Sequence, residues 1–245
     1  VAILFDDAAS EYLGLGTAPV SAAPCTLAGW LSRDAAAGDF GILGLRDSVG
    51  GQNEIWTQIE NSTQLVRAAT RTSGPTFGIA VTSAATSLNT WQHACAVFAS
   101  STSRTAYLDG GNSGSNTTSN NPTSLNVVAV GARATPGTYF SGKLAELAIW
   151  DVALTADEVA QLGLGYSPLL VRPGNLVAYW PLYGNNSPET DIVGGVNLTW
   201  NNTPTKASDH PRIILPRKRR VYLGTAAGGA TEVELMASRQ LCMNP

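Results

Sequence analysis

Charged residues are scarce in this chain: Asp, Glu, Lys and Arg make up 13% of 245 residues, and histidine and methionine occur twice each. Low charge with 44% hydrophobic residues excludes a disordered chain and a coiled coil. The three cysteines, Cys25, Cys95 and Cys242, are odd in number and widely spaced, so they form neither a disulfide framework nor a C-x-x-C pair. Cys25 and Cys95 read as buried thiols. No apolar run approaches the roughly 18 to 20 residues that cross a bilayer, so no membrane span is read. Val1–Phe5 runs into Asp6 and Asp7 without a basic region or cleavage site, and no signal peptide is read there. Neither histidine sits in an H-E-x-x-H or zinc-finger spacing, and G-x-S-x-G, P-loop and complete G-x-G-x-x-G motifs are lacking.

What is present is β-rich. Short apolar or alternating runs recur every 8 to 12 residues between Gly, Asn, Ser and Pro, the spacing of a β-sandwich or barrel. The pattern predicts strands near 1–5, 11–15, 25–32, 40–46, 54–60, 64–70, 76–82, 91–98, 104–108, 125–132 and 143–150. Two more follow at 176–181 and 196–200, and a last one at 231–236. One helix is predicted: Thr155-Ala156-Asp157-Glu158 has the form of a capping box, with Val159 and Leu162 as its apolar side and Gly163 as its stop. From Pro211 the character changes. Five of the 15 basic residues, Arg212, Arg217, Lys218, Arg219 and Arg220, lie within ten positions that hold none of the 18 acidic ones. A Gly/Ala-rich link follows.

Three blocks together resemble a laminin-G-like member of the concanavalin A-like lectin/glucanase superfamily. They are Phe5-Asp6-Asp7 through Tyr12-Leu13 with Thr26-Leu27-Ala28-Gly29-Trp30-Leu31; Thr90-Trp91-Gln92-His93 through Phe98 with Tyr107-Leu108-Asp109-Gly110; and Val130-Gly131-Ala132-Arg133, Phe140 through Trp150 and Leu154 through Val159. Their order matches the family to about residue 163. The resemblance implies an all-β, concanavalin A-like jelly-roll sandwich with one short helix, and core positions for Trp30, Trp91, Trp150 and Trp180. Leu176-Val177-Ala178-Tyr179-Trp180-Pro181-Leu182 is similar to the strand that usually opens such domains. Arriving after the helix, residues 175–203 are expected to fill that place from the C-terminal side, as in a circular permutation; a truncated second domain is the rival. The domains expected are therefore a sandwich over 1–205 and a basic C-terminal arm over 206–245.

Family likeness does not fix activity, because members bind glycans, proteins or calcium, or serve as structure alone. Catalysis of the laminarinase kind needs paired carboxylates. Glu54 and Glu60 are the nearest, yet six residues on a strand place them roughly 20 Å apart at about 3.3 Å per residue, whereas retaining hydrolysis needs about 5 to 5.5 Å. The expectation is no enzyme. Asp6, Asp7 and Glu11 offer hard oxygen ligands for Ca²⁺, which needs 6 to 8 of them; a solvated turn is the alternative. Glu54, Trp56 and Gln58 share one face of their strand with Glu60, placing one aromatic among hydrogen-bonding groups as a sugar ring requires. Trp56 packed into the core is the simpler alternative. His93 reads as structural, and His210 lies in a Ser208-Asp209-His210-Pro211 turn. The basic segment lacks the interleaved aromatics of a nucleic-acid platform, so an arm docking on other protein subunits is expected through Arg212, Arg217, Lys218, Arg219 and Arg220. An intramolecular strand with solvated arginines is the rival. The reading is a structural or decorating subunit of a larger assembly, such as a phage virion surface protein, displayed on a virion or extracellular surface and able to meet surface glycans. A free or cell-surface lectin is the alternative.

Overall fold

The computed structural model describes residues 1–15, 17–49, 52–133, 137–216, 218–223 and 231–236, with backbone alone for 15, 218–223 and 231–236. Twelve strands precede the helix: β1 (Ala2–Phe5), β2 (Tyr12–Leu15), β3 (Cys25–Arg33), β4 (Phe40–Arg46), β5 (Glu54–Ile59), β6 (Leu65–Arg71), β7 (Phe77–Ala85), β8 (Gln92–Ser100), β9 (Ser103–Leu108), β10 (Gly111–Asn116), β11 (Val127–Val130) and β12 (Gly142–Trp150). After helix α1 (Ala156–Gly163) come β13 (Leu176–Trp180), β14 (Thr199–Asn201), β15 (Thr205–Ala207), β16 (Lys218–Leu223) and β17 (Thr231–Met236).

Strands β1 to β15 form a sandwich of two antiparallel sheets. One has eight strands in the order β10-β9-β8-β3-β12-β1-β15, with β13 also on β12; the other has seven, ordered β14-β2-β11-β4-β5-β6-β7. Alternation along each strand sends one set of side chains between the sheets. Leu13, Leu45, Ile55, Ile59, Val66 and Val128 from the seven-stranded sheet meet Leu27, Leu31, Phe98, Leu144, Leu147 and Ile149 from the other, all buried. Burial of this kind contributes about 25 cal/mol per Å² of apolar surface.

β12 pairs with β3 along one side and is shared along the other. Its first half takes β1 and its second half takes β13. Between the halves the register to β3 shifts, and Glu146 adopts φ +57°, the signature of a bulge. β14 adds to β2 in the opposite sheet, so residues 176–207 supply strands to both sheets.

Helix α1 opens as the sequence predicts. Glu158 N–H donates to Thr155 Oγ1 at 3.3 Å, and Thr155 N–H donates to Glu158 Oε2 at 2.8 Å. The stop differs: Gly165, at φ +92°, takes the left-handed position that Gly fits without strain. Gly163 serves close packing instead, since a Cβ there would lie 2.5 Å from Gly110 N. β10 is absent from the sequence expectation because Gly-Asn-Ser-Gly-Ser-Asn carries no apolar period; pairing with β9 holds it.

Residues 206–216, grouped with the arm by composition, lie against the sandwich. β15 pairs with β1, matching Ala207 to Ala2. His210 Nε2 lies 3.0 Å from Glu146 Oε1, and Ile214 N–H donates to Gly165 O at 2.7 Å. Arg212 is exposed beside this strap, and Arg217 lies outside the described residues. Lys218, Arg219 and Arg220 belong to β16, which pairs with β17 in a two-stranded sheet of its own, Arg220 opposite Glu234.

Candidate functional site

Because Ile55, Thr57 and Ile59 alternate with Glu54, Trp56 and Gln58, and Ile55 and Ile59 belong to the inter-sheet core, the second trio stands on the outer face of the seven-stranded sheet. Pairing registers carry that face across neighbouring strands. Trp56 lies in a row with Gly44, Ala129 and Gly14 on one side and Ala69 and Ile79 on the other. Glu54 lies in a flanking row with Arg46, Arg71 and Phe77, and Gln58 in the opposite flank with Arg67 and Val81. Small residues therefore make up the row from Gly14 to Gly44, and Trp56 ends that run.

At that end is a pocket of about 260 Å³ lined by Asp39, Trp56, Gln58, Arg67, Phe77, Ile79, Arg133 and Thr138. Trp56 is only 4% exposed, yet it is covered from outside rather than packed between the sheets. The Arg133 guanidinium lies over its ring, 4.2 Å from the centroid, and Phe77 meets it edge-on at 6.5 Å. Its indole N–H donates to Gln58 Oε1 at 2.6 Å, and the Gln58 amide donates to Asp39 Oδ1 at 3.2 Å. Arg133 also pairs with Glu54. Arg71 stands over the Phe77 ring at 5.4 Å. Sequence reasoning found one strand of this face and missed Asp39, Arg67, Phe77 and Arg133. Arg67 and Arg71, four apart on one strand, already carried the signal of a shared face.

Glu60 does not join a carboxyl pair. Its carboxylate accepts from Ser62 Oγ at 2.6 Å and from Thr63 N–H at 2.9 Å, and it faces Arg67 at 3.2 Å. Hydrogen bonds from Ser62 and Thr63 hold its pKa down at about 2, so it stays ionised and is unsuited to donate a proton.

The acidic turn is spent on backbone groups. Asp6 Oδ1 accepts from Ala8 N–H at 2.9 Å, and Glu11 Oε2 accepts from Asp6 N–H at 2.8 Å, while Asp7 is exposed. Among the described residues no group of three or more His, Cys, Asp or Glu side chains is placed to hold a metal ion.

Trp150 and Trp180 are fully buried, but Trp30 and Trp91 depart from the core expectation. Both are half-buried and line a hollow of about 550 Å³ with Leu164, His210, Arg212 and Ile214 on the outside of the eight-stranded sheet. Asp209 fixes Trp91 by accepting its indole N–H at 3.1 Å while accepting from Lys143 at 2.8 Å. Glu146 accepts from the Tyr179 hydroxyl; burial, reinforced by that carboxylate, raises the phenol far above its usual range. His93 is buried against Trp30, with ring centroids 5.4 Å apart. Burial lowers its pKa to about 3, so the imidazole is neutral.

The family model of the concanavalin A-like lectin/glucanases superfamily that describes laminin G domains matches residues 7–160. The chain belongs to this superfamily. Solved structures reproduce its concanavalin A-like sandwich. A Bacteroides ovatus protein provisionally designated carbohydrate-binding superposes with TM-score 0.60 at 16% identity over 85% of this chain, which spans 60% of that protein's length. A heptameric SAP-like pentraxin from Limulus polyphemus gives 0.53 at 14% identity, covering 81% of this chain and 89% of its own. Domain 4 of an extracellular arabinanase from Geobacillus stearothermophilus, in complex with arabinotriose, gives 0.53 at 18% identity over 62% of this chain and 72% of that one. No curated protein matches the chain. No helix among the described residues is long and apolar enough to cross a membrane.

Proposed function

We propose that this sandwich binds carbohydrate, without cleaving it, on the outer face of the seven-stranded sheet. The observation that carries this is the pocket beside Trp56, where Phe77, 41% exposed, stands next to Gln58, Asp39 and Thr138. An apolar ring among amide, carboxylate and hydroxyl groups is the composition a sugar requires. Superfamily membership and the two fold neighbours named for carbohydrate agree with it. Glu54 and Glu60 are each engaged with an arginine, which favours binding over hydrolysis. Retention on immobilised polysaccharides tests the reading: wild type should be retarded and Phe77→Ala should not, at unchanged melting temperature. Equal retention of both proteins, or none of either, rejects the site.

A second reading is favoured by one observation, the separate β16–β17 sheet that carries Lys218, Arg219 and Arg220. Such a hairpin can extend a neighbour's sheet by strand addition, making the chain a displayed subunit of a larger assembly such as a phage virion, with the sandwich facing outward. Removing residues after Pro216 should then abolish incorporation and spare glycan binding. A truncated chain that still incorporates rejects this role.

A further inference from the structure

We infer that the ligand of the Trp56 face is an acidic polysaccharide, a uronate chain whose carboxylates meet Arg133, Arg67 and Arg71; this rests on the carbohydrate-binding reading above and adds the class of sugar. The Trp56 ring is not bare. Arg133 lies over it, so an arriving ligand touches a guanidinium where an indole face would otherwise be. The ion pairs are layered in the same sense. Arg133 is 22% exposed over Glu54 at 4%, and Arg67 is 28% exposed over Glu60 at 14%. The carboxylates sit beneath, and the cations face the solvent.

Four arginines gather at this face: Arg46 and Arg71 in the Glu54 row, Arg67 opposite Gln58, and Arg133 over Trp56. Their Nε atoms are buried, so a ligand carboxylate meets these guanidinium groups through their terminal nitrogens, where charge-assisted hydrogen bonds are the strong ones. Lysine-rich patches lack that geometry; guanidinium groups select a planar anion.

Register gives the direction. Arg46 and Arg71 lie in the row on one side of the Gly14-Ala129-Gly44-Trp56 line, and Arg67 lies in the row on the other. A chain crossing the strands past Trp56 meets Arg71 on one side and Arg67 on the other. An extended 1,4-linked polyuronate with twofold symmetry turns successive carboxylates to opposite sides, which matches. Each ring also keeps an apolar face for Phe77, which a simple anion does not.

The test is titration of the full chain with polygalacturonate, with neutral linear arabinan and with oligothymidylate, at low and high salt. Polygalacturonate should bind at least tenfold more tightly than arabinan, weaken with salt as exposed charge pairs do, and lose about tenfold on Arg71→Gln or Arg67→Gln at unchanged melting temperature. Tighter binding of arabinan, or polygalacturonate binding that neither substitution weakens, overturns the acidic ligand while leaving the Phe77-dependent sugar site standing. Preference for oligothymidylate shows a general polyanion surface and also overturns it. Binding of neither glycan removes both this inference and the function it rests on. Should a variant unfold, the ranking of the three polymers by wild type decides alone.

Discussion

The Arg133 guanidinium lies 4.2 Å from the ring centroid of Trp56 and pairs through Nη2 with Glu54. One side chain, carried by the turn that follows β11, thereby joins a strand face to a loop. It sets both the shape and the charge of the pocket.

Arg133→Ala should therefore cost stability as well as binding. It takes one partner from a carboxylate that is 4% exposed, and a hydrogen bond to a charged group contributes about 1.5–3 kcal/mol. Urea unfolding of Arg133→Ala, Glu54→Gln and the double variant should show a coupling of about 1 kcal/mol or more. Additive effects would mean that the pair does not act as a unit.

Gly41 sets where that loop lies. A Cβ at Gly41 would come 2.2 Å from Arg133 N and 2.4 Å from Ala132 C, both backbone atoms that cannot rotate away. Gly41→Ala should lower the melting temperature and weaken glycan retention together, because relieving the clash displaces Arg133. Unchanged retention in a folded Gly41→Ala protein would separate the loop from the site.

The sandwich was legible because its signals are local: alternation, turn residues and a capping box at Thr155 and Glu158 that forms as read. β10 escaped because its six residues carry no apolar period, and the place of residues 206–216 escaped because composition separates charge, not contact. Their hold on the sandwich comes from Ala207 opposite Ala2 and from His210 beside Glu146. Alternation put Glu54, Trp56 and Gln58 on one face, but their partners arrive from other strands and loops, and register is a tertiary property. As family positions Trp30 and Trp91 point to the core, and the 208–216 strap instead makes them walls of a hollow.

Acid should destabilise the protein in two windows. The folded pKa of His93 is about 3 against an ordinary 6.5, so below 6.5 the unfolded chain takes up a proton that the native state refuses. Stability present above pH 6.5 is then lost as pH falls, at no more than about 1.4 kcal/mol per pH unit from this group. Glu60, held at about 2 from 4.5, adds a loss of the same sign only below pH 4.5. Chemical denaturation between pH 7 and 5 should show the first decline, flattened in His93→Gln. An equal slope in that variant would exclude His93 as its source.

Truncation separates the strap from the hairpin. A chain ending after Pro216 should melt as the full chain does, because β15, His210 and Ile214 remain in place. Ending after Lys206 removes Ala207 from β15, the His210 contact with Glu146 and the Ile214 hydrogen bond to Gly165. The melting temperature should then fall by about 5 °C or more, at about 2–4 °C for each kcal/mol lost. Equal melting of both truncations would make the whole of 207–245 an appendage.

A crystal structure with an oligogalacturonate tests the central claim most directly. The sugar should lie on the seven-stranded sheet, in contact with Phe77, Gln58 and Arg133, with its carboxylates on the arginines. A sugar seated instead between Trp30 and Trp91 on the eight-stranded sheet, or a seven-stranded face left empty at saturating ligand, would contradict it.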